Sequence, residues 1–215
     1  MRLICRSIAM ILLALAAVPA SAESPRHYGV RAGVNLSAFT GSFGDLVNPD
    51  YRVAANVAFV YEYDFVPQLS LHTGVGYSGK GGVSHSQGTD PEGNPIGAFA
   101  DTWSFEYLEV PLLMRGRMPV FGASRAFLEL GPMLDFRISG KLGSETPGFP
   151  DESLTSRMNV FDLGFGAGFG FEIPAGPGRL GIETRYTHGF DDLFDTNGTL
   201  TTINEAWTFA LSYTR

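Results

Sequence analysis

Eight times along this chain apolar and polar residues alternate with a period of two, and from residue 28 onward no stretch of helical period separates one run from the next. Successive side chains of a strand point to opposite faces, so this period describes strands with one apolar and one polar face. The runs are 28–38, 52–63, 68–79, 103–116, 125–140, 159–173, 178–189 and 204–214. In the first, Tyr28, Val30, Ala32, Val34 and Leu36 oppose Arg31, Asn35 and Ser37. In the fourth, Leu108, Val110, Leu112 and Met114 oppose Glu109 and Arg115, and Trp103 and Phe105 fall on the polar parity, which suggests a bulge there. Parallel strands need crossover connections, so a sheet without helices between its strands is antiparallel.

The connections sort by length. Residues 64–67, 117–124 and 174–177 are short, whereas 39–51, 80–102, 141–158 and 190–203 are longer and more polar. Short turns at one end and long loops at the other are the habit of bacterial outer-membrane barrels. In such a barrel the apolar face points at lipid and the polar face into the lumen. The polar parity holds Arg31, Glu62, Glu109, Arg115, Glu129, Asp135, Arg137, Asp162, Glu172, Glu183 and Arg185, with both signs mixed. Eight strands make a barrel that its own side chains fill. The expectation is an all-β, eight-stranded, antiparallel up-and-down transmembrane barrel, the last strand closing on the first, with a lumen charge network that leaves no pore.

The run at 161–174, FDLGFGAGFGFEIP, fits this reading. Its glycines, Gly164, Gly166, Gly168 and Gly170, would line the lumen and make room for long side chains such as Arg137 and Arg185, while Phe165, Phe169 and Phe171 face lipid. The spacing is not that of a dinucleotide-binding loop. Aromatic residues supply two expected girdles. Tyr28, Tyr61, Tyr63, Phe171 and Tyr213 fall near the turn end, and Tyr77, Trp103, Phe161 and Trp207 near the loop end.

The N-terminus reads as an export signal. Arg2 and Arg6 precede an apolar run from Ile8 to Val18 and then Ala20-Ser21-Ala22, which predicts cleavage after Ala22 and a barrel domain over 23–215. Cys5, the only cysteine, lies in the charged region, so no disulfide is expected. Removing Arg2 and Arg6 leaves 13 basic against 22 acidic side chains, a formal charge of −9, which disfavours nucleic acid as a partner.

The segments GVRAGVNLS (29–37), YLEVPLLMR (107–115), LELGPMLDF (128–136), DLGFGAGFGFE (162–172) and RYTHGFDDL (185–193), taken in that order, resemble the PorT-like family of outer-membrane β-barrel proteins. The resemblance covers essentially the whole mature chain. It implies a small eight-stranded barrel of the OmpA or OmpX kind. The expectation drawn from the whole sequence is a monomer in the outer membrane, meeting lipid and lipopolysaccharide as well as the outer-membrane assembly machinery. Such barrels commonly end on an aromatic residue, whereas here Tyr213 is followed by Thr214 and Arg215.

The residues offer little chemistry. Ser70 and His72 share a polar face, but i and i+2 on a strand are not natural hydrogen-bond partners, and His188 reads as an interface residue. DDLFDTNG (191–198) departs from a calcium loop at Leu193 and Asn204. Eleven acids in the long stretches (Asp45, Asp50, Asp90, Glu92, Asp101, Glu145, Asp151, Glu152, Asp191, Asp192 and Asp195) face only Lys80, Lys141 and Arg157, and read as solvated charge. The sequon at 197–199 reads as chance. No metal, cofactor or catalytic residue is expected. The function expected is structural, adhesive or accessory, worked through the outer loops. Two alternatives stay open: a soluble lipocalin-like barrel with an apolar ligand inside, and an outer-membrane lipid-modifying enzyme.

Overall fold

A computed structural model describes residues 25–89, 95–144, 150–194 and 201–215. The export segment, the acids at 90, 92, 145 and 195, the second half of the calcium-like stretch and the whole sequon lie outside them. The strands are β1 (Arg26–Thr40), β2 (Asp50–Val66), β3 (Leu69–Thr89), β4 (Pro95–Pro119), β5 (Arg125–Ser144), the two-residue β6 (Glu152–Ser153), β7 (Phe161–Ala175), β8 (Gly178–Gly189) and β9 (Ile203–Thr214). Every pairing is antiparallel, in the cyclic order β1-β2-β3-β4-β5-β7-β8-β9. Closure is made by β1 and β9, from Gly29 opposite Thr214 to Thr40 opposite Ile203. A closed sheet has no edge, so every ladder donor and acceptor finds a partner without water.

The short connections lie at one end: Pro67 and Gln68 between β2 and β3, 120–124 between β4 and β5, and Gly176 and Pro177 between β7 and β8. Gly122 and Gly176 have φ of +56° and +59°, a region that strains residues with a Cβ. At the other end the long connections carry more structure than their polar composition suggests. The 80–102 stretch is mostly strand, because β3 runs to Thr89 and β4 begins at Pro95. With 21 and 25 residues these strands far exceed the 9–11 or so that cross a bilayer. They rise beyond the membrane as a hairpin whose backbone groups remain paired. The 39–51 stretch holds a short helix, α1 (Ser42–Val47), tied to the start of β9 by Phe43 N donating to Thr201 O at 3.0 Å and Thr201 N donating to Ser42 Oγ at 2.8 Å.

The bulge expected in β4 is displaced to its neighbour. Glu106 faces Ser139 and Tyr107 faces Arg137, so the extra residue is Ile138 of β5, 51% exposed. Trp103, Phe105 and Tyr107 therefore keep the inner parity of Glu109, and their apolar character belongs to the interior.

The outer wall is apolar: Val30, Leu128, Phe169 and Ile182 are 58–61% exposed. Tyr28 lies against Tyr61 with ring centroids 5.3 Å apart, and Tyr63 against Phe65 at 5.4 Å, all toward the turn end. Phe171 and Tyr213 are half-buried on the same side of the wall. Toward the loop end Tyr77, Phe161 and Trp207 face outward, with Phe161 5.3 Å from Phe136 and Trp207 5.0 Å from Tyr186. Trp103 does not belong with them. It points inward against Phe39 and Phe43, at 5.7 and 5.3 Å, because its strand parity is that of the lumen.

Candidate functional site: the barrel interior

β1, β2, β4, β5, β7 and β8 each turn at least one charged side chain inward, and the strand tilt of a closed barrel brings charges far apart in sequence to one level. Arg115 is the hub. Its guanidinium meets Glu62 at 2.6 Å, Glu129 at 2.7 Å, and Glu172 and Glu183 each at 3.1 Å. Its flat face lies 3.9 Å from the centre of the Phe127 ring, where the ring's negative face favours a cation. Arg185 meets Glu129 at 2.7 Å and Glu183 at 3.3 Å, and Arg31 meets Glu183 at 2.9 Å and Glu109 at 3.3 Å. Arg31, Arg115 and Arg185 are at most 2% exposed. Charges buried so deeply are tolerable only when paired and hydrogen-bonded, and the planar fork of arginine suits a hub that serves several carboxylates.

Beneath this layer, toward the turn end, Arg117 pairs with Glu62, with Asp64 at 2.9 Å and with Glu172 at 3.3 Å, while His27 meets Asp64 at 3.1 Å. Above it, Lys80 pairs with Asp135 and lies 3.7 Å from Glu109. Amides and hydroxyls complete that level: Asn35 Nδ2 donates to Ser78 Oγ at 3.0 Å, Thr208 Oγ1 to Asn35 Oδ1 at 2.8 Å, and Arg31 to Asn56 Oδ1 at 2.8 Å. Asp162 is 5% exposed beside Gly189.

Ten of the eleven charges picked from the polar parity lie in this buried interior; Arg137 does not join their ion pairs. The bulge beside it turns its side chain to the loop end, where it donates to Met158 O at 2.7 Å and its own N–H donates to Val160 O at 2.9 Å, pinning the 150–160 segment to β5. The room left by the β7 glycines is accordingly taken by β5 residues other than Arg137. A Cβ added at Gly166 would sit 2.9 Å from Met133 Sδ, one at Gly168 3.2 Å from Glu129 Oε1, and one at Gly170 would collide with the Phe127 ring. Gly170 thus leaves space for Phe127, and Phe127 supports Arg115. Gly170→Val is expected to cost about 1–3 kcal/mol, the range for overpacking a filled interior. An unchanged urea midpoint for that variant would show that the ring is free to move.

The sequence reading missed Lys80 and Arg117, which it assigned to a loop and a turn. A signal was present. Lys80 continues the inward parity of Ser70, His72 and Ser78, and Arg117 that of Arg115, so both strands are longer than their alternating runs. Ser70 and His72 are 0% and 1% exposed, and His72 Nδ1 lies 2.9 Å from Glu62 Oε1 within the ionic layer. Asn204 donates to Tyr107 Oη at 2.9 Å, high in the barrel and away from any loop ligand set.

The family comparison agrees with this architecture. The family model described as "Outer membrane protein beta-barrel domain" matches residues 19–195. Among solved structures the chain is similar to Neisserial surface protein A, with 10% identity over 88% of this chain and 96% of that one and a TM-score of 0.47. It is similar also to Ail, the attachment invasion locus protein of Yersinia pestis, solved with the heparin analogue sucrose octasulfate, with 11% identity, coverage of 89% and 100%, and a TM-score of 0.44. OprG from Pseudomonas aeruginosa shares 9% identity over 88% and 95%, with a TM-score of 0.38. No curated protein matches the chain.

Proposed function

Because the chain belongs to the family of outer membrane proteins built on a β-barrel domain, we propose that it is a closed, non-catalytic barrel of the bacterial outer membrane that acts through its loop end. Its strands cross that membrane. The observation that carries the rest is the ion-pair layer centred on Arg115, which spans the interior from β2 to β8 and is at most 5% exposed at every charge it joins. An aqueous channel needs a continuous path of water. Here the guanidinium and carboxylate groups pair with one another across the interior, so a hydrated ion moving through would have to separate several pairs at once.

The same layer argues against a barrel hydrolase, because Ser70 and His72 lie within it, enclosed from both ends. It argues equally against an apolar ligand held at mid-height. The outward wall is the surface for membrane lipid and lipopolysaccharide, with Tyr28, Tyr61, Tyr63, Phe171 and Tyr213 as one girdle and Tyr77, Phe161 and Trp207 as the other. The order of motifs supports a narrower position beside the PorT-like barrels, and Arg2 and Arg6 ahead of the apolar run and Ala20-Ser21-Ala22 support an export segment removed after Ala22 before the assembly machinery receives the chain. In planar bilayers the refolded protein is expected to give no stepwise conductance above the bare membrane. Steady openings of the size given by a water-filled pore would overturn the closed-barrel reading.

A further inference from the structure

The inner face of a membrane barrel is ordinarily polar, yet above Tyr107 this one changes character. Phe39 and Phe105, on β1 and β4, are 2% and 0% exposed, and Leu154, Met158 and Leu193 from the long connections close over them. Met158 lies directly on Gly140, where a Cβ would leave it no space. Beside these contacts the rim is hollowed by a pocket that opens to solvent. This cavity, of about 660 Å³, is walled by Phe43, Trp103, Leu142, Leu154, Met158 and Phe194. Pockets that bind small molecules run from about 300 to 1,000 Å³.

The mouth has a different chemistry from the walls. Glu152, Ser156, Arg157 and Asn159 line it and are exposed, with Arg157 Nη1 2.9 Å from Glu152 Oε1. We infer that this cavity binds a single acyl chain, its tail against Trp103, Met158 and Phe194 and its polar head at the rim beside Arg157. A molecule with an apolar body and one small polar end is what such walls and such a mouth complement. Acyl chains are the abundant apolar molecules of the bilayer that this barrel crosses. The Arg157–Glu152 pair is solvent-exposed, so an oxygen-bearing head exchanges with Glu152 at little loss. The cavity lies above the ionic layer and does not depend on that layer being closed to ions. The acyl chain has two sources, a free fatty acid arriving from outside and the tail of a lipid in the outer leaflet.

Tryptophan emission reads the site directly. The chain has two tryptophans, and Trp207 faces lipid. Trp207→Phe leaves Trp103 in the cavity wall as the sole reporter. In one arm the protein sits in vesicles of ordinary phosphatidylcholine and is titrated with a bromine-labelled C12 to C16 fatty acid; in the other the vesicles themselves carry bromine on the acyl chains and no fatty acid is added. Saturable quenching in the first arm assigns a free fatty acid, and quenching in the second assigns a lipid tail. Leu154→Phe, which fills the cavity, is expected to weaken either response about tenfold, the loss from excluding roughly two methylenes. Leu142→Phe serves the same purpose if Leu154→Phe loses the heat-dependent gel shift of a folded barrel. No quenching in either arm, or quenching undiminished in a folded, filled variant, would overturn the site.

Discussion

Arg115→Met is expected to produce the largest loss of stability of any single inward substitution, about 3–5 kcal/mol, the usual result of stripping a buried carboxylate of its partner. Four carboxylates, Glu62, Glu129, Glu172 and Glu183, lie within 3.1 Å of that one guanidinium. Glu129 and Glu183 keep Arg185, and Glu62 and Glu172 keep Arg117, but each loses its central partner. The measurement is the urea midpoint of the refolded barrel in detergent, with the gel shift between boiled and unboiled samples as a check on folding. Arg115→Lys should recover only part of the loss, because an ammonium cannot present a planar fork to several acids or lie flat on Phe127. A double-mutant cycle with Glu129→Gln isolates one pair, and the two losses should be clearly non-additive. An Arg115→Met barrel as stable as the parent would mean that the layer is incidental to the fold.

Phe165→Arg is the counterpart on the outer wall. Phe165 is 40% exposed on β7, between the girdle residues Phe161 and Phe171, and is flanked by two inward glycines that give the arginine no inward refuge. A charge held at mid-depth in lipid costs roughly 2–4 kcal/mol. The variant should therefore reach the outer membrane poorly and accumulate as unshifted, unfolded protein, and Leu112→Arg, on β4, should behave alike. Phe121→Arg is the control. Phe121 is 77% exposed in the turn between β4 and β5, beyond the strands, where the same charge costs about 0–1 kcal/mol near the interface. If Phe165→Arg and Phe121→Arg insert equally well, the outward wall does not face hydrocarbon.

The two substitutions test two faces that the alternation already separated. Phe165 and Arg115 were assigned to opposite sides from parity alone, since side-chain direction in a strand is fixed by the local backbone. Where parity failed to guide, the cause was a strand end or a bulge. Lys80 and Arg117 looked like loop residues because the alternating runs stop short of the strands. Arg137 looked like a lumen charge because a bulge at Ile138 cannot be counted from one strand's sequence. Trp103 looked like a girdle residue because it stands near the loop end of its strand and its inward parity was put down to a bulge in β4. The cap of Phe39, Phe105 and Phe194 had no periodic signature at all, its members coming from two strands and a connection.

The sequence by itself determined the antiparallel class, the number of barrel strands, the sorting of turns from long connections and the face on which most charges stand. These follow from local geometry, one residue's direction relative to the next. Which carboxylate meets which guanidinium was decided only by the closed barrel. Tilt and stagger carry Arg31 to within 2.9 Å of Glu183, 152 positions away, and no pattern along one chain encodes that offset. The same holds for the apolar cavity beneath the 150–160 segment, which exists because long connections fold back over a rim that only closure creates.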